Sequence, residues 1–317
     1  MKKQLTSILV ILLMVTGCRA NSGETTNNGI DAGQIVNNIN KGKAVVVQGK
    51  IVTGDLDFTA IKKNSIFSSS LRIAEIGIPV TFIDCIFLGR VTANGQKDKV
   101  AIITRFGSSV TFEACDFRNE ADFSNCTVEG MVNFTGAIFR EKALFNNVTF
   151  KGRQVYFTAF SSEKLFSMQE SQIDGSADFF KGKVNGKLSF QSTDFRGTAR
   201  FSDLDCSGKS DFSLANFRND ALFTYASFGS DFRMTDVHVA GRLDLISVNF
   251  NSGAWLTNAV FSGRVNLTKS VVRAVFDMSG SVFMQGKPVT EEFTIEKTGQ
   301  LITKGAKFAV LNEFTIE

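Results

Sequence analysis

The sequence predicts an all-β solenoid with a short capping helix at its N-terminal end, and three observations carry that prediction. Eighteen of the 32 phenylalanines fall on two columns of one 11-residue repeat. Self-similarity at a fixed short period marks a stacked, quasi-one-dimensional fold. Within each repeat a small residue precedes a large one by two positions, which puts both on the same side of an extended strand. Only Pro79 and Pro288 are proline, so no Pro-rich linker divides the 317 residues.

The first column runs Phe112, Phe123, Phe134, Phe145, slips by one residue near Tyr156 and Phe157, and resumes at Met168. It continues through Phe179, Phe190, Phe201, Phe212, Phe223, Met234, Leu245, Leu256, Leu267 and Met278. The second column lies five residues later, from Phe117, Val128, Phe139 and Phe150 through Ile173, Val184, Phe195, Cys206, Phe217 and Phe228 to Phe283. The rival 11-residue architecture is a right-handed coiled coil. It fails because residues five apart on an α-helix are rotated by about 140° net, so the two columns cannot share a seam. Glycine in most repeats also opposes a long helix. Gly130, Gly152, Gly186, Gly197, Gly208, Gly241 and Gly263 read as corners that require positive φ.

Residues 1–17 read as a signal peptide: Lys2 and Lys3 form the positive n-region, and Leu5 to Val15 form an apolar stretch too short to span a bilayer. Val15-Thr16-Gly17-Cys18 resembles the bacterial lipobox, which implies cleavage before Cys18 and a thioether-linked diacylglycerol on its sulfur. Several acyl chains anchor stably, since each buried methylene contributes about 0.8 kcal/mol. Arg19 in the next position points to the outer membrane, on its periplasmic face or surface, ahead of the inner one. The alternatives are an ordinary secretory signal with an incidental cysteine, or a short anchor helix. Residues 18–30 are polar and without periodicity, as in a flexible tether. Asp31 N-caps a helix over 31–43, whose Ile35, Val36 and Ile39 cover the open apolar end of the body. Residues 44–287 form the solenoid, beginning with Val45-Val46-Val47 and Ile51 to Phe58. Two segments interrupt it: 90–101, with Asn94-Gly95-Gln96-Lys97-Asp98-Lys99 as a protruding loop, and 154–170 as a second bulge. After Phe283 the pattern decays, and 288–317 reads as C-terminal capping strands around Glu291 to Ile295 and Phe308 to Leu311.

The triplets Ala121-Asp122-Phe123, Ala177-Asp178-Phe179, Ala199-Arg200-Phe201, Ser210-Asp211-Phe212 and Ala221-Leu222-Phe223 resemble the pentapeptide-repeat family, in a Phe-rich variant. In that family a small residue precedes a central Leu or Phe by two, every five residues. The resemblance extends over about 240 of the 317 residues. It implies a right-handed quadrilateral β-helix with four faces per coil. The departure is an alternating spacing of five and six, which gives about 22 residues per coil. About eleven such coils at roughly 4.8 Å each make a rod on the order of 50 Å long.

Little in the chain points to chemistry. Cys85, Cys115 and Cys126 each lie three residues after a column residue, in a slot held elsewhere by Ala137, Val148, Ala215 and Ala259, and Cys206 takes a Phe slot. They read as small inward hydrophobes, not as disulfides or metal ligands. No metal or cofactor site is expected. The single histidine, His238, occupies an outward position between Val237 and Val239. Asp116, Asp122, Asp178, Asp194, Asp211, Asp244 and Asp277 are scattered over outward positions. Paired carboxylates cleave glycosides, so a polysaccharide-active enzyme is the alternative reading. Basic residues recur at the corners, among them Arg118, Arg140, Lys151, Arg196, Arg218, Arg242 and Arg273, where an edge could meet anionic headgroups. Trp255, the only tryptophan, is expected exposed on one face as a partner contact. The charge is +4, and +2 without Lys2 and Lys3, too weak a balance to expect nucleic acid as a partner. It also opposes DNA mimicry of the kind that family members use on topoisomerase. The leading expectation is a non-catalytic, lipid-anchored scaffold that presents flat β faces to a protein or an envelope polymer.

Overall fold

The computed structural model describes residues 28–309. The expected signal segment 1–17, Cys18, the expected tether as far as residue 27, and residues 310–317 lie outside the described residues.

The chain winds into a right-handed β-solenoid of about 13 turns, longer than the eleven expected. At about 4.8 Å per turn the rod is on the order of 60 Å long. One coil serves as the reference. Val132–Asn133 lies on face 1, Ile138–Phe139 on face 2, Ala143–Leu144 on face 3 and Thr149–Phe150 on face 4. Each strand pairs in parallel with its equivalent in the next coil, building sheets of 10, 12, 11 and 13 strands on the four faces. Most strands are only two residues long because the chain turns a corner every five or six residues. Their backbone groups are satisfied between coils, as where the Ile138 N–H donates to the Cys115 carbonyl at 2.8 Å.

Both Phe columns point inward. The first column splits into two stacks, because successive members sit on opposite faces 1 and 3. On face 1, Phe134, Phe157, Phe179 and Phe201 stack with ring planes within 2–11° and centroids 5.0–5.4 Å apart. Phe123 and Phe145 stack on face 3 at 5.3 Å. Rings of the two stacks meet edge to face, Phe134 on Phe145 at 80° and Phe201 on Phe212 at 81°. Offset stacking along the axis and edge-to-face contact across it are the two favoured aromatic arrangements, and the square section supplies both. The small slot three residues after each column member turns a corner. There Ser171, Ser270 and Ser281 replace Ala with a buried hydroxyl that links two coils: Ser171 Oγ donates to the Phe145 carbonyl at 2.7 Å and accepts from the Val148 N–H at 2.9 Å.

Positive φ is not where the glycines were expected to supply it. It falls two residues after the first column, at Asn125, Asn147, Ala159, Lys181, Asp203, Leu214 and Tyr225, with φ of 53–62°. None of Gly130, Gly152, Gly186, Gly197, Gly208, Gly241 and Gly263 has positive φ. They line the wider corners, where the backbone of one coil presses on the last. A Cβ on Gly152 would meet the Gly130 carbonyl, one on Gly208 the Gly186 carbonyl, and one on Gly263 the Gly241 carbonyl. Close approach, not backbone handedness, selects glycine there.

At the N-terminal end, helix α1 (Ala32–Asn40) buries Ala32, Ile35 and Ile39 over the first coil, and the Asp31 carboxylate caps it by accepting from the Gly33 N–H at 2.9 Å. Gly29 and Ile30, expected in the tether, instead form a strand with Asp31 that pairs in parallel with Ile51–Thr53 on face 2. At the other end, Thr294–Ile295, Gln300–Ile302 and Lys307–Phe308 continue faces 2, 3 and 4 in parallel register, adding a further coil.

The two interruptions behave differently. Residues 154–170 form no bulge. One residue is added at the corner between Phe150 and Val155, after which Val155 pairs with Val132 and the coils continue. Residues 90–101 do protrude, as an antiparallel pair of Asn94–Lys97 with Val100–Phe106 whose turn is Asp98-Lys99. A second antiparallel pair, Asn64–Ser68 with Leu71–Ile76, lies beside it and was not foreseen. Leu71 to Ile76 pairs in parallel with Ala101 to Phe106, so the four strands make one wing off face 4.

Candidate interaction surfaces

Among the described residues the interior is lined by apolar side chains and a few small polar ones. Cys85, Cys115, Cys126 and Cys206 are free and fully buried. Burial pushes the Cys126 and Cys206 thiols up. The hydrogen bond that Cys115 shares with the stacked Cys85, and then burial, push the Cys115 thiol up as well. Among the described residues no group of His, Cys, Asp and Glu is arranged to hold a metal.

The outward aspartates divide into two kinds. Asp122, Asp178, Asp211 and Asp277 each accept from the backbone N–H two residues on, at 2.8–3.0 Å, closing a side-chain turn at the start of a corner. Asn133 and Asn266 do the same. This is why Asp and Asn recur there: the carboxylate stands in for a missing strand neighbour. Asp116 and Asp194 are held by guanidiniums, Asp116 by Arg118 and Arg140 at 3.0 and 3.2 Å, Asp194 by Arg196 and Arg218 at 3.0 and 2.8 Å. Burial raises the Asp194 carboxyl, but the two guanidiniums outweigh it and the net shift is downward. Asp244 is raised, by burial and then by Asp220, with Arg242 between the two carboxylates opposing.

Seven of the corner cations are neutralised by carboxylates. Arg118, Arg140, Lys151, Arg196, Arg218, Arg242 and Arg273 all form ion pairs, most of them between neighbouring coils. They stitch the rod, whereas Lys142, Arg153, Lys183, Lys187, Lys209 and Arg264, at other corners, form no ion pair among the described residues.

Two surfaces stand out. On face 4 a polar ladder runs along the rod. Gln172 donates to Asp174, Arg196 spans Gln172, Asp174 and Asp194, Asn216 donates to Asp194, and His238 bridges Asn216 and Ser262 through its two ring nitrogens at 3.1 and 3.3 Å. The sequence reading placed His238 on the surface but missed the ladder. Its signal is legible in the 22-residue spacing that stacks Asp194, Asn216 and His238. On face 3, Trp255 is half-buried, not freely exposed as expected. Its ring folds back over Gly253, where a Cβ would strike it, and the Arg233 guanidinium lies 5.2 Å above the ring.

Residues 104–159 match the family described as pentapeptide repeats, in 9 copies, which supports that family for this chain. No curated protein and no solved structure matches it.

Proposed function

We propose that this pentapeptide-repeat solenoid is a non-catalytic binding rod, held at the bacterial cell envelope by a lipid on Cys18, the outer membrane being the favoured site. The closed interior carries the reading. The Phe columns are buried along the whole rod, so a ligand has only the outer faces to meet. Those faces are flat and rigid, because side chains of neighbouring coils bond to one another, as in the ladder from Gln172 to Ser262. The Val15-Thr16-Gly17-Cys18 motif supports the anchor. The partner is a protein or an envelope polymer, and Trp255 under Arg233 is its proposed contact. The polysaccharide-active alternative loses ground, since Asp122, Asp178, Asp211 and Asp277 are engaged in turns and Asp116 and Asp194 in ion pairs.

Mass spectrometry of the mature N-terminus tests the anchor: a diacylglyceryl thioether on Cys18 is expected, and an unmodified cysteine overturns anchoring and envelope placement together. Crosslinking in intact envelopes tests the rod. A specific adduct that weakens at least tenfold with Trp255→Ala is expected, and the loss of no adduct on that substitution overturns the assigned contact.

A further inference from the structure

The wing off face 4, like α1, is not built by the repeat, and its surface differs from that of the coils. The hairpin tips at 67–70 and 98–99 lie side by side, tied by the Ala101 N–H donating to the Ser70 carbonyl at 2.8 Å. Phe67 sits at an irregularity in the pairing between Ile66 and Ser68, and both large side chains are open to solvent, Ile66 at 75% and Phe67 at 71%. These are among the most exposed large hydrophobics of the described residues. Arg72 pairs beside them and Lys97 and Lys99 flank the neighbouring tip, with Lys62 and Lys63 at the base of the same hairpin, against only Glu75 and Asp98 in the wing. Ile66 pairs across the strands with Arg72, and Arg72 with Ile102, which places apolar and cationic side chains on one side of the wing. None of these five cations forms an ion pair among the described residues, whereas most of the corner arginines do. The base of the wing is fixed to the end of α1, where the Asn40 side chain accepts from the Lys62 N–H at 2.7 Å. Lys41 and Lys43 extend the same positive surface.

The wing also sits at a particular end of the rod. It springs from the first coils, the same end of the rod at which the chain enters the body at Gly29, on face 2. Between Cys18 and Asn28 a fully extended chain reaches at most about 35 Å, so a lipid on Cys18 keeps this end of the rod close to the bilayer.

We propose that the wing is a membrane-docking device: Ile66 and Phe67 enter the headgroup region of an anionic bilayer, and Lys62, Lys63, Arg72, Lys97 and Lys99 engage its phosphates. An apolar tip ringed by unpaired cations is the complement of an anionic interface, because burial and surface potential then act together. The docked wing makes a second attachment beside the lipid and sets the rod's orientation to the membrane. This rests on the proposed anchoring, so the test separates the two.

The chain starting at Arg19, which carries no lipid, is mixed with vesicles of phosphatidylethanolamine and phosphatidylglycerol and with vesicles of phosphatidylcholine alone. Sedimentation with the anionic vesicles is expected, with partitioning reduced about fivefold for each of Lys97→Gln and Arg72→Gln. Phe67→Ser should reduce it at least tenfold with an unchanged melting temperature, since the side chain packs against little. In a Phe67→Trp, Trp255→Phe variant, the emission should shift to the blue on anionic vesicles only. Failure to bind anionic vesicles, or binding indifferent to Phe67→Ser, overturns the docking inference even if Cys18 proves lipidated. Self-association through the open Asn64–Ser68 edge, abolished by Phe67→Ser in the absence of lipid, overturns it in favour of a second copy. An unmodified Cys18 with intact vesicle binding overturns the anchor alone.

Discussion

Phe160 and Ser162 exchange the sizes of the residues they stack upon. In the preceding coil the same two positions hold Ala137 and Phe139, and the register pairs Phe139 with Ser162. Phe160 and Ser162 are each 1% exposed, and the Phe160 ring lies 4.7 Å from Phe166, itself a large residue where Ala143 stands one coil earlier. The volume lost at Ser162 is thus returned by two neighbours, and the core stays filled through the coil that follows the extra residue. Phe160→Ala is expected to cost about 3 kcal/mol through the cavity it leaves. Ser162→Phe should cost about 1–3 kcal/mol by overpacking against Phe160 and Phe166. Ser162→Ala should be neutral or stabilising, because the buried Ser162 hydroxyl has no hydrogen-bond partner. Urea unfolding of the three variants checks the order.

The corners give opposite expectations for glycine. Gly152→Ala and Gly263→Ala place a Cβ against the backbone carbonyl of the previous coil and should each lower the melting temperature by several degrees. Tyr225→Gly and Leu214→Gly relieve positive φ of 62° and 61° at exposed side chains. They should leave stability within about 1 kcal/mol of the parent, or raise it. Calorimetric scans that show the reverse pattern would refute this assignment of the corners.

Stability should fall at high pH through the buried thiols. Cys126 and Cys206 titrate above the ordinary 9.0 when folded and near it when unfolded. The folded state therefore holds their protons longer, and the stabilisation, complete below pH 9, is lost as pH rises beyond it. The slope is about 1.4 kcal/mol per pH unit for each thiol. Cys126→Ala should flatten the loss between pH 9 and 10.5, and iodoacetamide should label neither cysteine before unfolding. Asp194 acts in the other direction. Its carboxyl is lowered, so its contribution is present above 3.8 and lost in acid, and Asp194→Asn should cost about 1 kcal/mol at pH 7 and almost nothing at pH 2.

Trp255 is the only tryptophan, so its fluorescence reads one place on face 3. With Arg233 above the ring and Gly253 beneath it, acrylamide quenching should be moderate in the parent and about twofold stronger in Arg233→Ala. Equal quenching in both would place the ring away from the guanidinium.

The core was legible in the sequence because Phe at fixed spacing has one physical meaning: an inward column. The small slots holding Cys85, Cys115 and Cys126 were legible for the same reason. The corners were not, since glycine answers two separate demands, positive φ and close approach, and composition does not tell them apart. At Leu214 and Tyr225 the left-handed residue is not glycine at all, because inter-coil pairing overrides local preference. The 154–170 irregularity was overread for a related reason: a single added residue shifts the pattern, yet a wide corner absorbs it. The first hairpin of the wing was missed although Ile66-Phe67 followed by Ser68-Ser69-Ser70 is an apolar strand end running into a turn. Among the surface residues, Asp122, Asp178, Asp211 and Asp277 bond two residues on in the chain, but the second guanidinium on Asp116 and on Asp194 comes from the next coil, which chain order does not display.

The reference coil, whose face-4 strand Thr149–Phe150 follows its partner Thr127–Val128 by 22 residues, pairs with the coil before it and the coil after it. Removing or duplicating such a unit leaves every remaining contact of the same type in place. The distance between the two ends of the molecule is thereby quantised, adjustable in increments of about 4.8 Å without redesign of the ends themselves. A single inserted residue has a corner to absorb it, as between Phe150 and Val155. The molecule is in this sense a ruler, whose graduations are whole coils.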